Sequence, residues 1–372
     1  MSVSHIRTIV GIALTGALAL SACASENPAP TSTGAGTGAG TAAADCFSGD
    51  LTAEGSSAQK NAIAEAISSY QSKCADATID YAATGSGAGI KQFIAGQVDF
   101  AGSDSSLKTQ PKDGKIEADE AKQACGSDAW NLPMVAGPIA IAYNVKGVGK
   151  LVLNAEVAAK IFSGQITAWN DPGIAALNKG VTLPATPIKV YFRSDESGTT
   201  ENFTKYLKAA APSAWAADPG KKWTGKGEGK EKSAGVATAV KGQDGGITYV
   251  ELSYAQQNQL AMAAIDSGSG PVELTGESAG KTIATAKQSG QGNDLALKID
   301  YATKEAGAYP IVLVTYEIVC SKYADGEKGK KVKAFLKHFA SADVQKSLEA
   351  KGYAPLPAEV QTKVAAAVDA IS

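Results

Sequence analysis

The chain of 372 residues has only two histidines, and one of them, His5, lies in an apolar segment at the N-terminus. A Ser-His-Asp hydrolase would therefore depend wholly on His338. That residue stands beside Leu336 and Phe339 in a Lys-rich amphipathic stretch, where a helix-flank position is the simpler reading. Five cysteines are present, and none of their spacings resembles a zinc or iron–sulfur cage, so no metal and no cofactor is expected. Basic residues are not in excess: 35 Lys and Arg stand against 37 Asp and Glu, which argues against a nucleic-acid face or a basic membrane-binding face. From Ser25 to Ser372 no run is long and apolar enough to span a bilayer. Any anion site must work through local donors rather than a broad positive field.

What is present begins with an export signal. Arg7 precedes the apolar run Ile9 to Leu20, which is too short to remain as a membrane span and ends in Leu20-Ser21-Ala22-Cys23. A Cys directly after small residues resembles a lipobox, so residues 1–23 read as a lipoprotein signal peptide with Cys23 as the lipid-attachment site. An ordinary signal peptide cut elsewhere is the alternative. Residues 24–45 follow as a flexible tether, almost wholly Ala, Gly, Thr, Pro and Ser. A chain of that length reaches roughly 25 Å. With Cys23 set aside, Cys46, Cys74, Cys125 and Cys320 remain, and four cysteines in an exported domain imply two disulfides with three possible pairings. Cys46–Cys74 with Cys125–Cys320 is favoured, because Cys46 and Cys74 each shortly precede one of the first two strands.

Three turns share one design. Ile188 to Phe192 reads as a strand, Arg193-Ser194-Asp195-Glu196-Ser197-Gly198-Thr199-Thr200 as a tight turn, and the residues from Asn202 as an amphipathic helix with Ser197 as N-cap. Thr200 occupies the place where a capping box would put Glu or Gln, so the first-turn N–H groups stay free at the positive end of the helix dipole. Gly198 permits close approach, Thr199 adds a hydroxyl, and Arg193 adds a five-donor cation. Glu54-Gly55-Ser56-Ser57-Ala58-Gln59 and Thr84-Gly85-Ser86-Gly87-Ala88-Gly89 repeat the arrangement without an acid at the box position. One such turn is usually only a cap. Three of them describe a site for a small tetrahedral oxyanion.

About 325 residues follow the tether, enough for two α/β lobes. Strands alternate with helices from Leu51, which points to mainly parallel sheets. Two long apolar stretches, Leu132 to Val145 and Ile311 to Val319, read as crossovers between lobes. The first lobe is then discontinuous, residues 46–140 and 312–372, with residues 141–311 as the second.

Taken together, Gly85-Ser86-Gly87-Ala88-Gly89-Ile90, Val98-Asp99-Phe100-Ala101-Gly102-Ser103-Asp104 and Arg193-Ser194-Asp195-Glu196-Ser197-Gly198-Thr199 resemble the phosphate-binding proteins of bacterial ABC transporters. Thr167 to Pro172, Ile247 to Glu251 and Tyr353 to Pro357 are similar in the same order. The resemblance implies a two-lobed type II periplasmic-binding-protein fold, α/β with two mainly parallel sheets and a two-strand hinge. It implies inorganic phosphate as ligand, delivery to membrane permease subunits, and attachment to the outer face of the cell membrane through the lipid anchor. Carried onto this chain, Ser57, Ala58 and Ser86 donate to phosphate from one lobe, and Asp104 accepts from it. Arg193, Ser197, Gly198 and Thr199 donate from the other, and Asp195 neighbours the arginine. Two departures stand out. Ala58 occupies a position where an aromatic residue is common, leaving only its backbone N–H. Glu196 replaces a common Gly and adds local negative charge.

A lone acid among donors has a chemical rationale. Phosphate keeps at least one hydroxyl near neutral pH, and sulfate keeps none. Asp104 accepts that hydroxyl and repels a fully ionised anion; two like charges about 4 Å apart cost roughly 4 kcal/mol at an effective dielectric of about 20. An isolated Asp after a strand is ordinarily a turn residue, and only the neighbouring motifs argue otherwise. Other pattern matches lead nowhere. Gly276-Glu277-Ser278-Ala279-Gly280 fits a nucleophile elbow but is flanked by Gly- and Thr-rich chain. Ser57 to Lys60 fits S-x-x-K without a K-T-G partner, and Gly227 stands where a P-loop needs Ser or Thr. The expected function is a non-enzymatic phosphate receptor; a phosphate-ester hydrolase using the same pocket is the alternative. If Cys23 carries the anchor, Cys23→Ala releases the protein or leaves uncleaved precursor; membrane fractionation that finds it processed and anchored normally excludes the lipobox.

Overall fold

The computed structural model describes residues 45–111 and 114–372, so Cys23 and the tether's first residues lie outside the described residues. The core is one nine-stranded mixed sheet. At one end β1 (Gly49–Gly55) pairs in parallel with β2 (Ala77–Ala82) and β3 (Phe100–Ser103). The long β4 (Ala129–Asn144) runs through the middle. At the other end β5 (Lys189–Arg193) pairs in parallel with β6 (Glu228–Lys230) and β7 (Gly246–Glu251). The short β8 (Ala261–Met262) adds to β4, and β9 (Val312–Cys320) completes the order β2-β1-β3-β9-β4-β7-β5-β6. The two parallel sheets expected from the alternation are thus two parallel trios, joined by a pair of antiparallel strands.

The join is written in β4. From Leu132 to Tyr143 every residue is buried, as a strand covered on both faces requires. Up to Pro138 the strand pairs with β9; from Ile139 to Asn144 it pairs with β7. Pro138 has no N–H to give a ladder, which suits the place where β4 changes partner. The Ile139 N–H still reaches the Ile311 carbonyl at 2.9 Å, so the two long strands stay tied at that point. A register shift lies between Thr315 and Tyr316, opposite Pro133, and Pro is tolerated at such a bulge. The extra residue, Met134, is on β4, and Thr315 beside the shift faces the site described below.

Two hydrophobic cores flank this seam. One holds Tyr70, Phe100, Leu132 and Ile318, and the C-terminal helices Gly326–Phe339, Ala342–Glu349 and Ala358–Asp369 close it through Phe335, Leu348 and Val368. The other holds Ile141, Phe162, Trp169, Phe203 and Tyr249. Helix α1 (Lys60–Gln71) buries Ala62, Ile63, Ala66 and Tyr70 on one face. Disulfides join Cys46 to Cys74 and Cys125 to Cys320. The second ties the end of α3 (Glu117–Cys125), after α2 (Ser86–Ile94), to the end of β9. Gly276 to Gly280 opens the helix Gly276–Ala284, where Thr275 and Ser278 form a reciprocal cap and the Ser278 hydroxyl donates to the Glu273 backbone carbonyl. Ser278 is a capping residue there, not an elbow nucleophile.

Glu317 on β9 is fully buried, and neither carboxyl oxygen has a hydrogen-bond partner. Burial first, and then the nearby charge of Asp104, push its carboxyl from 4.5 up to about 8. A folded-state value above the unfolded one means that the folded chain holds this proton more tightly, so stability falls as pH rises between those values. Glu317→Gln removes the slope. The variant should match the parent below about pH 4.5 and melt at least about 2–4 °C higher near pH 9, a difference of about 1 kcal/mol or more. Parallel melting curves across that range overturn the assignment.

Candidate oxyanion site

Asp104 follows directly on β3, 3% exposed, at the point where β1, α2 and β9 converge. Its Oδ1 accepts from the Ser56 hydroxyl at 2.5 Å and the Thr315 hydroxyl at 2.8 Å, and its Oδ2 accepts from the Ser86 hydroxyl at 3.1 Å. Burial raises its carboxyl to about 6, with the negative charge of Glu251 adding to the shift, while the Ser56 and Thr315 bonds and Arg193 pull the other way. Carboxylate bonds to hydroxyl donors leave open lone pairs for a further proton donor.

Across from it, helix α4 (Gly198–Ala210) begins, capped as expected by Ser197, whose Oγ accepts from the Thr200 N–H at 3.1 Å. The N–H groups of Gly198 and Thr199 open the first turn and have no intrahelical partner. The helix is fixed by aromatic packing: Phe203 stacks on Tyr249 of β7 with centroids 4.6 Å apart, and the Tyr249 hydroxyl meets both Thr200 Oγ1 at 2.6 Å and the Arg193 N–H at 3.2 Å. One ring therefore registers the strand, the turn and the helix together.

Arg193 is 2% exposed and charged. Burial works against its charge, but Asp195 holds it through two bonds, Nε to Oδ1 at 2.7 Å and Nη2 to Oδ2 at 2.5 Å. Asp195 also accepts the Lys232 N–H at 2.9 Å from the start of α5 (Lys232–Lys241). The remaining arm, Nη1, donates to Thr199 Oγ1 at 3.2 Å and to Ser233 Oγ at 3.1 Å. Thr199 in turn donates to Glu251 Oε1 at 2.5 Å, which commits the single proton of its hydroxyl. Ser233 shares a hydrogen bond of 3.0 Å with Ser57.

The residues assigned to the oxyanion thus lie in one region, but not all in the manner read from sequence. Ser57 and Ser86 are not side-chain caps; α1 begins later, after Gln59, and Gly85 precedes α2. Their hydroxyls are turned sideways, to Ser233 and Asp104. The Ala58 N–H bonds the Ser56 hydroxyl at 3.0 Å. Glu196 does not hold its turn away. Its carbonyl accepts the Gly87 N–H at 2.9 Å, and a Cβ on Gly87 would lie 2.5 Å from the Glu196 Cβ. The bare backbone of Gly87 makes room for the larger residue. Ser56, Ser233, Glu251 and Thr315 are members that sequence reasoning missed. Ser56 and Glu251 lay within quoted motifs; Ser233 and Thr315 carried no local signal, since only the sheet topology brings them here.

A family model described as "PBP superfamily domain" matches residues 27–343. A protein of Mycobacterium bovis BCG named phosphate-binding protein PstS3 is 47% identical over the full length of both chains. A phosphate-binding protein PstS of Xylella fastidiosa is 32% identical, over 77% of this chain and 76% of that one. Among solved structures, a high-affinity periplasmic phosphate-binding protein (PfluDING) bound with phosphate superposes with a TM-score of 0.67 at 22% identity, covering 86% of this chain and 93% of that one. A phosphate-binding protein from Stenotrophomonas maltophilia gives 0.66 at 19% identity, covering 86% and 94%. At those identities the solved structures speak for the fold.

The two walls approach closely at Gly198. A Cβ there would sit 2.5 Å from the Asp104 Cβ and 2.5 Å from the Ser86 Oγ. Gly198→Ala should push α4 and the Asp104 turn apart, at a cost of about 1–3 kcal/mol to the closed arrangement. Oxyanion affinity measured by calorimetry should fall at least about fivefold; affinity equal to the parent's would show that the two turns are not both in contact with the ligand.

Proposed function

The chain belongs to the phosphate-binding proteins of the periplasmic-binding-protein superfamily, and on that premise we propose that it captures inorganic phosphate outside the cytoplasmic membrane and delivers it to the permease of an ABC transporter. The single observation that carries the reading is the buried meeting of Asp104 with the N-terminus of α4 and Arg193. It supplies one acceptor for a ligand proton amid fixed donors for ligand oxygens.

The residues assigned to phosphate are Ser57, Ala58, Ser86, Asp104, Arg193, Ser197, Gly198 and Thr199, with Asp195 holding the guanidinium flat. Thr199 would use its backbone N–H while its hydroxyl serves Glu251. Ala58 would have to release its N–H from Ser56 to donate. Residues 46–140 with 312–372 form one lobe and 141–311 the other, and the change of partner at Pro138–Ile139 supports a hinge there. Lipidation of Cys23 would hold the receptor at the outer face of the membrane on its tether.

We assign no catalytic step. His338 is hydrogen-bonded to Ser69 on the outer side of α1, at 2.7 Å, and so is placed to serve neither Ser57 nor Ser86 as a base. A chromogenic phosphate ester incubated with the protein should yield no product.

Selectivity tests the reading. Above about pH 6 Asp104 is ionised and accepts the ligand hydroxyl; below it the neutral carboxyl can donate to a fully ionised anion. Calorimetric titration with phosphate, sulfate and molybdate should therefore show sulfate competing better at pH 5 than at pH 8. Asp104→Asn should bind sulfate appreciably at both pH values while keeping most of its phosphate affinity. Arg193→Ala should weaken every oxyanion together. A parent protein that binds none of the three ends the proposal, and an Asp104→Asn variant that still ignores sulfate removes Asp104 as the proton sensor.

A further inference from the structure

Glu201 lies in the first turns of α4, its side chain 2% exposed, and three ammonium groups converge on it. Lys205, one turn on, is 2.7 Å from Oε1, and Lys221 is 3.8 Å from Oε2. The third, Lys108, bonds Oε1 directly. Lys221 also bonds Glu117 Oε1 at 3.3 Å, and the other Glu117 oxygen accepts the backbone N–H of Lys108 at 3.1 Å. The four residues form a closed ring, Lys108–Glu201–Lys221–Glu117.

The ring crosses the fold. Lys108 and Glu117 belong to the chain between β3 and β4, directly after Asp104; Glu201 and Lys221 belong to α4 and the segment after it. Next to the ring, the Asn202 amide donates to the carbonyls of Asp104 at 2.7 Å and Gly198 at 2.9 Å, and its oxygen accepts from the Tyr301 hydroxyl, so every polar atom of Asn202 is engaged. Burial works against the charge of Glu201, yet the three ammonium groups hold its carboxyl far below the usual range. On opening, Glu201 would keep Lys205 and Lys221, which ride on its own side, and lose Lys108. The carboxylate is never stranded, so opening costs the two cross-seam pairs, Lys108–Glu201 and Lys221–Glu117, rather than a bare buried charge. By contrast the Lys91–Glu196 pair, also across the seam, has Lys91 69% exposed and adds little.

We propose that this ring is an ionic latch between the lobes that slows the release of bound phosphate, with Lys108 and Glu117 as positioning residues that touch no ligand. The inference rests on the phosphate reading above. In the full-length chain, Lys108→Met should leave association of radiolabelled inorganic phosphate within about twofold and speed its release, in a chase with unlabelled phosphate, by about tenfold. Added salt should accelerate release from the parent more than from Lys108→Met. Lys108→Arg should restore slow release. Glu117→Gln should accelerate release less, because it keeps a neutral acceptor, and it tests the ring independently if Lys108→Met folds poorly. Release at the parental rate from a folded Lys108→Met, or from a folded Glu117→Gln where Lys108→Met does not fold, overturns the latch. Failure of the parent to bind phosphate at all is a different result, and it overturns the function instead.

Discussion

A carboxylate taken out of water must be hydrogen-bonded or it will not stay ionised, and the first lobe is arranged around meeting that demand at Asp104. Its hydroxyl partners come from three separate places: Ser56 from the turn after β1, Ser86 from the first turn of α2, and Thr315 from β9. None of these is near another in sequence. The parallel order of β1 and β3 puts the first turn beside the acid, and the antiparallel return of β9 alongside β3 brings the third to it. Even with three donors, burial wins, and the carboxyl sits near 6 rather than at its ordinary 3.8. An acid poised just below neutral pH is one whose protonation a ligand's own proton can decide.

The opposite wall obeys a different constraint. Arg193 is buried and would be costly alone, so Asp195 engages it with the two-bond geometry that fixes a guanidinium plane. That leaves Nη1 as the arm aimed at Thr199 and Ser233, while Glu251 holds the Thr199 hydroxyl from the far side. The donors of this wall are therefore oriented before any ligand arrives, and an anion that enters need not reorganise them.

Strands and helices with a clean pattern were legible. Leu132 to Val145 and Ile311 to Val319 differ from the observed β4 and β9 by a few residues at each end, because a continuous apolar run bounded by polar chain has few alternatives. The favoured cysteine pairing, Cys46–Cys74 with Cys125–Cys320, is the one in the structure. Ser197 as N-cap was legible from its own neighbours. What lay beyond local pattern was the use made of each hydroxyl. Ser57 and Ser86 look like caps from the residues around them, and only the approach of Ser233 and Asp104, distant in sequence, pulls them into lateral bonds. How the larger Glu196 fits was not legible locally, because the space beside it depends on Gly87, more than a hundred positions earlier. The ring around Glu201 was invisible for the same reason. Its lysines read as solvated charge until topology brings Lys108 and Lys221 to one buried carboxylate.

These arrangements set a balance between holding and releasing. Contacts at Gly198 and Asn202 draw the two walls together at short range, and they leave no room for partial separation: a shift of one ångström breaks the bond from the Asn202 amide to the Asp104 carbonyl. Charge acts over longer distance and falls off gradually. A seam made only of short contacts would open as soon as thermal motion broke them, and one made only of buried ion pairs would strand a charge in opening. Here the ion at the centre of the seam, Glu201, keeps two partners on its own side and has one partner across. On the proposed opening, the seam would part without exposing Glu201 as an unpaired buried charge, and it would close again under an attraction that acts before the short contacts re-form.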